Sequence, residues 1–214
     1  MTSRRAWLST AIGTLLAALY VVPVYWMVAT SLKRPGDIFA SPPDLVPSPV
    51  SFAAYADSVL THAGVLRGLA NSTVIGLATT VLTLALAMPA AYGLARFRLR
   101  FVNGFLLLFL VVQMIPAINV ALPMFVILSH LDLVNTYTGL VLANCSLALP
   151  LAVTVLRPYF LAVPGEVVEA ARVDGCNQWS AFVRIALPVT VPGIVTVAVV
   201  SFLGAWGSSS SRSP

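Results

Sequence analysis

The chain has 214 residues, a formal net charge of +5 and a mean hydropathy of +0.94, with 59% hydrophobic and only 9% charged residues. Soluble globular proteins average about a quarter charged residues, so this composition excludes an ordinary soluble protein and predicts a membrane protein. Five stretches lack any charged side chain, and each exceeds the roughly 20 residues that a helix needs to cross the hydrocarbon core. They are residues 6–32, 68–95, 101–131, 133–156 and 185–211.

Five membrane-spanning helices are predicted inside these stretches, because a lipid-exposed open strand would leave backbone groups unpaired. They are placed at residues 7–29, 69–94, 105–128, 139–161 and 189–206. The predicted fold class is therefore an all-α, polytopic transmembrane helical bundle of about five spans. The first span starts with SRR and an apolar run, as a cleaved signal does. Its length, Pro23 and the bulky Tyr25, Trp26 and Met27 favour a retained anchor instead.

The distribution of Lys and Arg predicts the orientation of the chain, since these residues concentrate in cytoplasmic loops. With the N-terminus inside and Arg212 in the tail set aside, the outer segments hold only Lys33, Arg34 and Arg67. The inner segments then hold Arg4, Arg5, Arg96, Arg98, Arg100, Arg157, Arg172 and Arg184. We therefore expect the N-terminus and the segment 163–188 to face the cytoplasm.

The loop after the first span, residues 30–67, is rich in proline and is expected to be extended and irregular. Near its end a short amphipathic helix is predicted, because four residues fall on one helical face. They are Phe52, Tyr55, Ala56 and Val59. We interpret this piece as lying on the membrane surface or on a partner.

The sequence contains no motif for catalysis. The only lysine, Lys33, follows TSL and not a glycine-rich loop, and neither HExxH, paired cysteines nor GxSxG occurs. His62 and His130 are isolated, and Cys145 and Cys176 are not expected to pair. We expect no enzyme activity, no catalytic, cofactor or metal site and no nucleic-acid partner. Uphill transport would draw its energy from an ion gradient or from another subunit.

Charged residues interrupt the apolar runs at EVVEAARVDGCNQWSAFVRIALP, residues 166–188. The pattern predicts two short helices joined by a turn. Glu166 and Arg172 suit the two ends of the first helix dipole, and Gly175 stands where a left-handed residue closes a helix. Two apolar faces are predicted, Val167, Ala170 and Ala171 on the first helix and Trp179, Phe182, Val183 and Ala186 on the second. The alternative is an interfacial helix anchored by Trp179.

The spacing EAA, three residues, G, nine residues, I, one residue, LP resembles the signature of permease subunits of binding-protein-dependent ATP-binding-cassette importers. The matching positions are Glu169, Ala170, Ala171, Gly175, Ile185, Leu187 and Pro188. The stretches TSLKRPGDIFASPPDLVPSPVSFAAY, NSTVIG, AAYGLARFRLR and MIPAINVALPMFVIL also resemble the carbohydrate branch of this family, of the maltose-permease type. The resemblance covers about residues 9–206.

The resemblance implies a type I importer permease in the bacterial inner membrane that carries a sugar or an oligosaccharide. It also implies that the seven matching residues and Asp174 form a coupling loop, which docks on a cytoplasmic ATPase dimer and carries the ATP-driven closure of that dimer into the spans. The other partners that it implies are a second permease subunit, an extracytoplasmic solute-binding protein and the carbohydrate substrate.

Polar residues inside the spans are candidates for the translocation path, because burying them in lipid is costly. These candidates are Gln113, Asn119 and Asn144. Pro116 and Pro123 are predicted to bend the third span around Asn119. The alternative role for the three amides is hydrogen bonding between packed spans.

After SFLGAW the family continues into a sixth span, whereas this sequence continues as GSSSSRSP. We therefore expect a transmembrane permease domain at residues 1–206 and a disordered polar tail at 207–214. One alternative is a truncated permease that does not transport. Two other classes stay open: an ion-coupled secondary transporter, which more often has an acidic residue inside a span, and a structural or assembly membrane protein.

Overall fold

A computed structural model of the chain describes residues 3–40, 44–58, 63–97 and 100–209. Every regular element in these ranges is helical, which confirms the predicted all-α class. The helices are α1 (Ser3–Ser31), α2 (Ala53–Ala56), α3 (Ala63–Arg96), α4 (Val102–Gln113), α5 (Ala117–His130), α6 (Tyr137–Ala162), α7 (Gly165–Val173), α8 (Gln178–Ala181), α9 (Leu187–Val189) and α10 (Val191–Ser209). A π-helical turn, Phe182–Ala186, lies between α8 and α9. The chain divides into two compact units, residues 1–67 and 68–214.

In the first unit, the proline-rich loop after α1 is irregular, as predicted, and is hydrogen-bonded back to the end of α1. The Nζ atom of Lys33 donates to the carbonyl oxygen of Asp44 at 2.6 Å and lies 5.0 Å from the centre of the Trp26 ring. The Tyr25 hydroxyl donates to the carbonyl oxygen of Leu45 at 2.7 Å. The ammonium group of the buried Lys33 is thus stabilised by a carbonyl dipole and an aromatic face.

The short helix predicted in this loop is present as α2, but it covers only four residues, and none of them is buried. Phe52 and Tyr55, on its predicted apolar face, are both exposed. Val59 and His62, and Arg98 after α3, lie outside the described residues.

Three helices in the described part of the chain are long and apolar enough to cross a membrane. They are Trp7–Ser31, Gly64–Arg96 and Tyr137–Ala162, and they confirm the first, second and fourth predicted spans. Two bent pairs of helices raise the number to five if each pair counts as one span.

The third predicted span is not one straight helix. It consists of α4 and α5, whose axes differ by 100°. The break lies at Met114–Pro116, where Pro116 precedes the first residue of α5 with an extended ψ of 133°. Proline lacks an N–H and disfavours a helical conformation in the residue before it, so α4 ends at Gln113 and the break precedes the predicted bend at Asn119. Pro123 lies inside α5.

The fifth predicted span corresponds to α10, which follows a 78° bend after Gln178–Val189. The helix runs to Ser209, so the first three residues of the predicted disordered tail, 207–209, are helical. Extending an existing helix adds one hydrogen bond for each residue fixed, without a new nucleation cost, and α10 therefore continues past its apolar run. Residues 210–214 lie outside the described residues.

The second unit is held together where α3, α6, α10 and the π-helical turn meet. The buried residues of this core are Ala87, Ala91, Tyr92, Ala152, Val153, Leu156, Phe160, Phe182, Ala186 and Val197. Two glycines permit close approach: a Cβ atom at Gly76 would lie 2.8 Å from the Phe202 ring, and one at Gly193 would lie 2.5 Å from the Tyr159 ring. Small residues serve this purpose in membrane helices, because packing and not hydrophobic burial holds the helices together there.

Candidate functional site

The segment 163–188 forms two helices joined by a tight turn, as the sequence predicts. Helix α7 follows Pro164, whose φ of −58° suits entry into a helix. Glu166 lies in its first turn and Arg172 in its last, so both charges oppose the partial charges of the helix ends.

The turn after α7 is closed by Gly175, which adopts the predicted left-handed conformation with φ +88°. The N–H of Cys176 donates to the carbonyl oxygen of Ala171 at 2.9 Å, and the N–H of Gly175 donates to that of Arg172 at 3.2 Å. These two bonds form a Schellman motif, which satisfies the last carbonyls of the helix. A Cβ atom at Gly175 would meet nothing within 4 Å, so the position demands backbone freedom and not space.

The second helix begins with a cap that the sequence analysis missed. The Oδ1 atom of Asn177 accepts a hydrogen bond from the backbone N–H of Ser180 at 2.8 Å. Asparagine is a preferred N-cap residue. Its place in CNQWS, directly after the glycine turn, could have predicted this cap from the sequence. Helix α8 then passes into the π-helical turn and α9.

Only some residues of each predicted apolar face are buried, and the others are exposed. In α7, Val168 and Ala171 are buried, whereas Val167 and Ala170 are exposed. In the second helix, Phe182 and Ala186 are buried, whereas Trp179 is 64% exposed and Val183 is also exposed. Residues 168 and 171 share one helical face by their i, i+3 spacing, and Val168 on that face packs on Val163 and Ala181.

Four large apolar side chains of the segment are exposed, and we call them together the exposed apolar surface. They are Val167, Val173, Trp179 and Val183, of which Val173 is 88% exposed. Charged residues at their edge include Glu169, Arg172 and Asp174, all exposed. Beside this surface, a depression of about 570 Å³ is lined by Glu169, Arg172, Val173, Cys176, Asn177 and Gln178.

The residues of the EAA signature therefore have different environments. Glu169, Ala170, Asp174, Gly175 and Pro188 are exposed, Ala171 is buried, and Ile185 and Leu187 are partly buried. Leu187 packs against the core of the second unit. Part of the signature thus forms the surface of the segment, and part of it holds the segment on the spans.

An aromatic cluster joins the segment to two long helices. The ring centre of Phe182 lies 4.9 Å from that of Tyr92 in α3 and 6.0 Å from that of Phe160 in α6. On the other side it lies 5.2 Å from the ring centre of the exposed Trp179. These separations allow favourable tilted ring packing, so the exposed Trp179 contacts a residue that itself packs on α3 and α6.

The structure does not bring the three path candidates together. Gln113 is exposed, and its Nε2 atom donates to the carbonyl oxygen of Phe109 in its own helix at 3.1 Å. Asn119 is exposed in the first turn of α5. Asn144 lines a cavity of about 420 Å³ between α6 and α10.

This cavity also contains Thr196 and Ser201, which the sequence analysis missed. The remaining lining is apolar or small and includes Leu147, Ala148, Leu151, Val200 and Gly204. The sequence did contain an indication of this site, because the apolar runs 133–156 and 185–211 both contain polar residues. Hydroxyl groups are inexpensive in a span because they bond to the preceding turn, as the Thr196 hydroxyl does to Pro192 at 2.9 Å.

Comparison with known proteins identifies related chains. Residues 83–211 match the family described as "Binding-protein-dependent transport system inner membrane component". The trehalose transport system permease protein SugB of Mycobacterium tuberculosis is 35% identical over 214 residues, which cover 96% of this chain and 74% of the relative. The diacetylchitobiose uptake system permease protein DasC of Streptomyces coelicolor is 32% identical, with 94% and 72% covered. The arabinooligosaccharides transport system permease protein AraQ of Bacillus subtilis is 31% identical, with 91% and 69% covered.

The family match covers more than half of the chain, including α6, the segment 163–188 and α10. The relatives agree with it over almost the whole chain. The several apolar helices fit a multi-pass position in the bacterial inner membrane. The chain therefore belongs to the family of inner membrane components of binding-protein-dependent transport systems.

Proposed function

We propose that the chain is a permease subunit of an ATP-driven importer and that its substrate is a sugar or an oligosaccharide. The names of its relatives support the substrate class, because they are permeases for trehalose, diacetylchitobiose and arabinooligosaccharides. We place the permease domain over residues 1–206, with the N-terminus and the segment 163–188 in the cytoplasm.

The chain contains no sequence for binding ATP, so the energy would come from a separate ATPase dimer. A second permease subunit would complete the translocation path, and an extracytoplasmic solute-binding protein would deliver the sugar. The family to which the chain belongs, described as a component of binding-protein-dependent transport systems, supports these partners.

The observation that carries this proposal is the exposed apolar surface of the segment 163–188. Val173 and Trp179 project from two different helices that the Gly175 turn holds together. An exposed aromatic residue beside apolar residues, with charges at the edge, is typical of a surface that becomes buried against another protein. We therefore assign the docking of the ATPase to this surface, with Glu169, Ala170 and Asp174 at its edge.

The path of coupling would run from the exposed apolar surface to the aromatic cluster. Closure of the ATPase dimer would displace Trp179, and Phe182 would pass the displacement to Tyr92 and Phe160. Ala171, Ile185 and Leu187 would keep the segment seated on the spans, while Gly175 and Pro188 would define its shape. Rearranged spans would then open the substrate path on the other side of the membrane.

The cavity between α6 and α10 supports a role for Asn144 in the translocation path. Asn144, Thr196 and Ser201 contribute amide and hydroxyl groups, which can exchange hydrogen bonds with sugar hydroxyls. For Gln113 and Asn119 the structure adds no comparable support, and they stay weaker candidates for the same path.

Sugar-stimulated ATP hydrolysis in the importer, assembled from this chain and its encoded partner subunits, tests the proposal. Trp179→Ala should lower this hydrolysis at least tenfold, with an unchanged amount of the chain in the membrane. Phe101→Ala is the matched control, because Phe101 is an exposed aromatic residue outside the segment, and its hydrolysis should stay within twofold of the wild type. Equal rates for Trp179→Ala and wild type would contradict the docking role. Uptake that persists without the ATPase and stops with a protonophore would instead establish an ion-coupled transporter.

A further inference from the structure

The end of α9 and the start of α10 meet at a sharp corner. The axis of Gln178–Val189 makes an angle of 78° with that of Val191–Gly207. Thr190 lies at the corner and is completely buried, with a relative exposure of 0%. Thr190 is therefore the point at which the chain turns from the segment 163–188 into α10.

Two prolines favour a bend at this corner. Pro188 and Pro192 have no backbone N–H, so neither can donate to the carbonyl oxygen four residues earlier. For Pro192 that carbonyl belongs to Pro188. The π-helical turn Phe182–Ala186 already widens the helix immediately before the corner, and such turns interrupt regular helical bonding.

Thr190 is hydrogen-bonded on both sides of the corner. Its N–H lies 3.1 Å from the carbonyl oxygens of both Ala186 and Leu187. Its hydroxyl Oγ1 donates to the same two oxygens, at 3.0 and 3.1 Å. Its own carbonyl oxygen accepts the N–H of Ile194 in α10, at 3.1 Å. One residue thus ends one helix and begins the next, and a threonine hydroxyl bonded to the preceding turn commonly bends a helix.

The corner is also fixed against α6. A Cβ atom at Gly193 would lie 2.5 Å from Cδ2 of the Tyr159 ring, so α10 starts in close contact with α6. Ala186, which accepts from Thr190, is itself fully buried in the core. These contacts on both sides favour a rigid corner over a flexible hinge.

We propose that Thr190 is a positioning residue, whose hydroxyl holds the segment 163–188 at a fixed angle to α10. Movement of the segment then turns α10 with it and is not absorbed as bending at the corner. Since α10 lines the cavity that contains Thr196 and Ser201, the angle controls how motion at the cytoplasmic end alters this cavity. The role in transport rests on the proposed function, whereas the role in setting the angle does not.

The experiment compares Thr190→Val, which keeps the shape and removes the hydroxyl, with Thr190→Ser, which keeps the hydroxyl. Spin labels at V173C and L203C, two exposed positions on α7 and α10, report the angle as a distance distribution in lipid nanodiscs. Cys145 and Cys176 are replaced by alanine in the background. The full chain is measured alone, without an ATPase. Thr190→Val should widen the distance distribution at least twofold, and the distribution of Thr190→Ser should match that of the protein with Thr190.

The second measurement is the number of sugar molecules transported per ATP in the assembled importer. Thr190→Val should lower this ratio at least fivefold, although ATP is still hydrolysed, and Thr190→Ser should stay within twofold. A merely structural role would reduce the amount of protein but leave the ratio unchanged. Should Thr190→Val not accumulate, Thr190→Ala removes the same hydroxyl with a smaller side chain and carries the same expectations.

An unchanged distance distribution in the variants that lack the hydroxyl would overturn the positioning role. An altered distribution with an unchanged transport ratio would overturn its part in coupling. If the unsubstituted importer does not couple ATP to sugar uptake, the proposed function fails, and the distance measurement still decides whether Thr190 sets the angle.

Discussion

The Nε atom of Arg157 in α6 donates a hydrogen bond to the carbonyl oxygen of Leu94 in the last turn of α3, at 3.2 Å. The reverse contact is also present, because Nη2 of Arg96 at the end of α3 donates to the carbonyl oxygen of Val163, directly after α6. Each helix thus supplies an arginine that caps the other, where the carbonyl groups carry partial negative charge. The two arginines hold the start of the segment 163–188 at a fixed place on the spans.

We expect Arg96→Gln to loosen the beginning of α7. A shorter neutral side chain loses the charge-assisted bond to Val163, and such bonds contribute about 1.5–3 kcal/mol. Hydrogen exchange of the amides in residues 168–171, the first in α7 that have intrahelical acceptors, should accelerate at least fivefold. Arg100→Gln is the control, because Arg100 is exposed, and exchange in α7 should not change. Equal exchange rates in the two variants would show that Arg96 does not hold the segment.

Substitution of Gly175 tests whether the turn needs a left-handed residue. Valine at φ +88° is strained by roughly 1–2 kcal/mol, whereas asparagine tolerates this conformation. Gly175→Val should therefore weaken copurification of the ATPase, or transport, at least fivefold and leave membrane insertion intact, and Gly175→Asn should stay within twofold of the wild type. If valine and asparagine behave alike, backbone conformation is not the reason for glycine here.

Two glycines of α10 provide a matched test of helix packing. A methyl group at Gly193 would lie 2.5 Å from the Tyr159 ring, whereas one at Gly204 would meet nothing within 4 Å. Gly193→Ala should lower the free energy of unfolding by about 1–3 kcal/mol, as overpacking does. Gly204→Ala should leave it unchanged or raise it slightly, because alanine favours a helix. Thermal unfolding in detergent measures both, and equal stability would contradict the close contact of α10 with α6.

Substitutions of Phe182 and Trp179 should have different effects, the first on stability and the second on docking of the ATPase. Phe182 is buried between Tyr92 and Phe160, so Phe182→Ala should lower the free energy of unfolding by about 3–5 kcal/mol. Trp179→Ala should change stability by less than about 1 kcal/mol, since the ring is largely exposed, but it should reduce binding of the ATPase. Unfolding and copurification are measured on the same preparations. A Trp179→Ala protein as unstable as Phe182→Ala would place Trp179 in the core and not on a docking surface.

Much of the fold could be predicted from the distribution of charged residues and from one glycine. Uninterrupted apolar runs located the helices, because charged residues are costly in lipid. The conformation of Gly175 could also be predicted, since a glycine after a helical run with arginine in its last turn is a strong local signal. Both predictions depend on properties of one residue or one short segment.

The predictions that failed depend on tertiary packing. Val167 and Val168 are neighbours of equal hydrophobicity, and only the position of Ala181 and Val163 decides which of them is buried. A bend at Pro116 was predicted, but it was centred too late, at Asn119, because Pro116 and Pro123 give the same local signal. The cavity with Asn144 and Ser201 joins helices that are far apart in sequence, so spacing alone could not reveal it.

Site-specific photo-cross-linking in the assembled importer tests the central claim most directly. A photoreactive residue at Val173, on the exposed apolar surface, is compared with one at Phe39, which is 91% exposed in the loop after α1. The account predicts a covalent product with the ATPase subunit from position 173 and none from position 39. An importer that transports sugar but gives no ATPase product from position 173, or gives one from position 39, would contradict coupling through the segment 163–188.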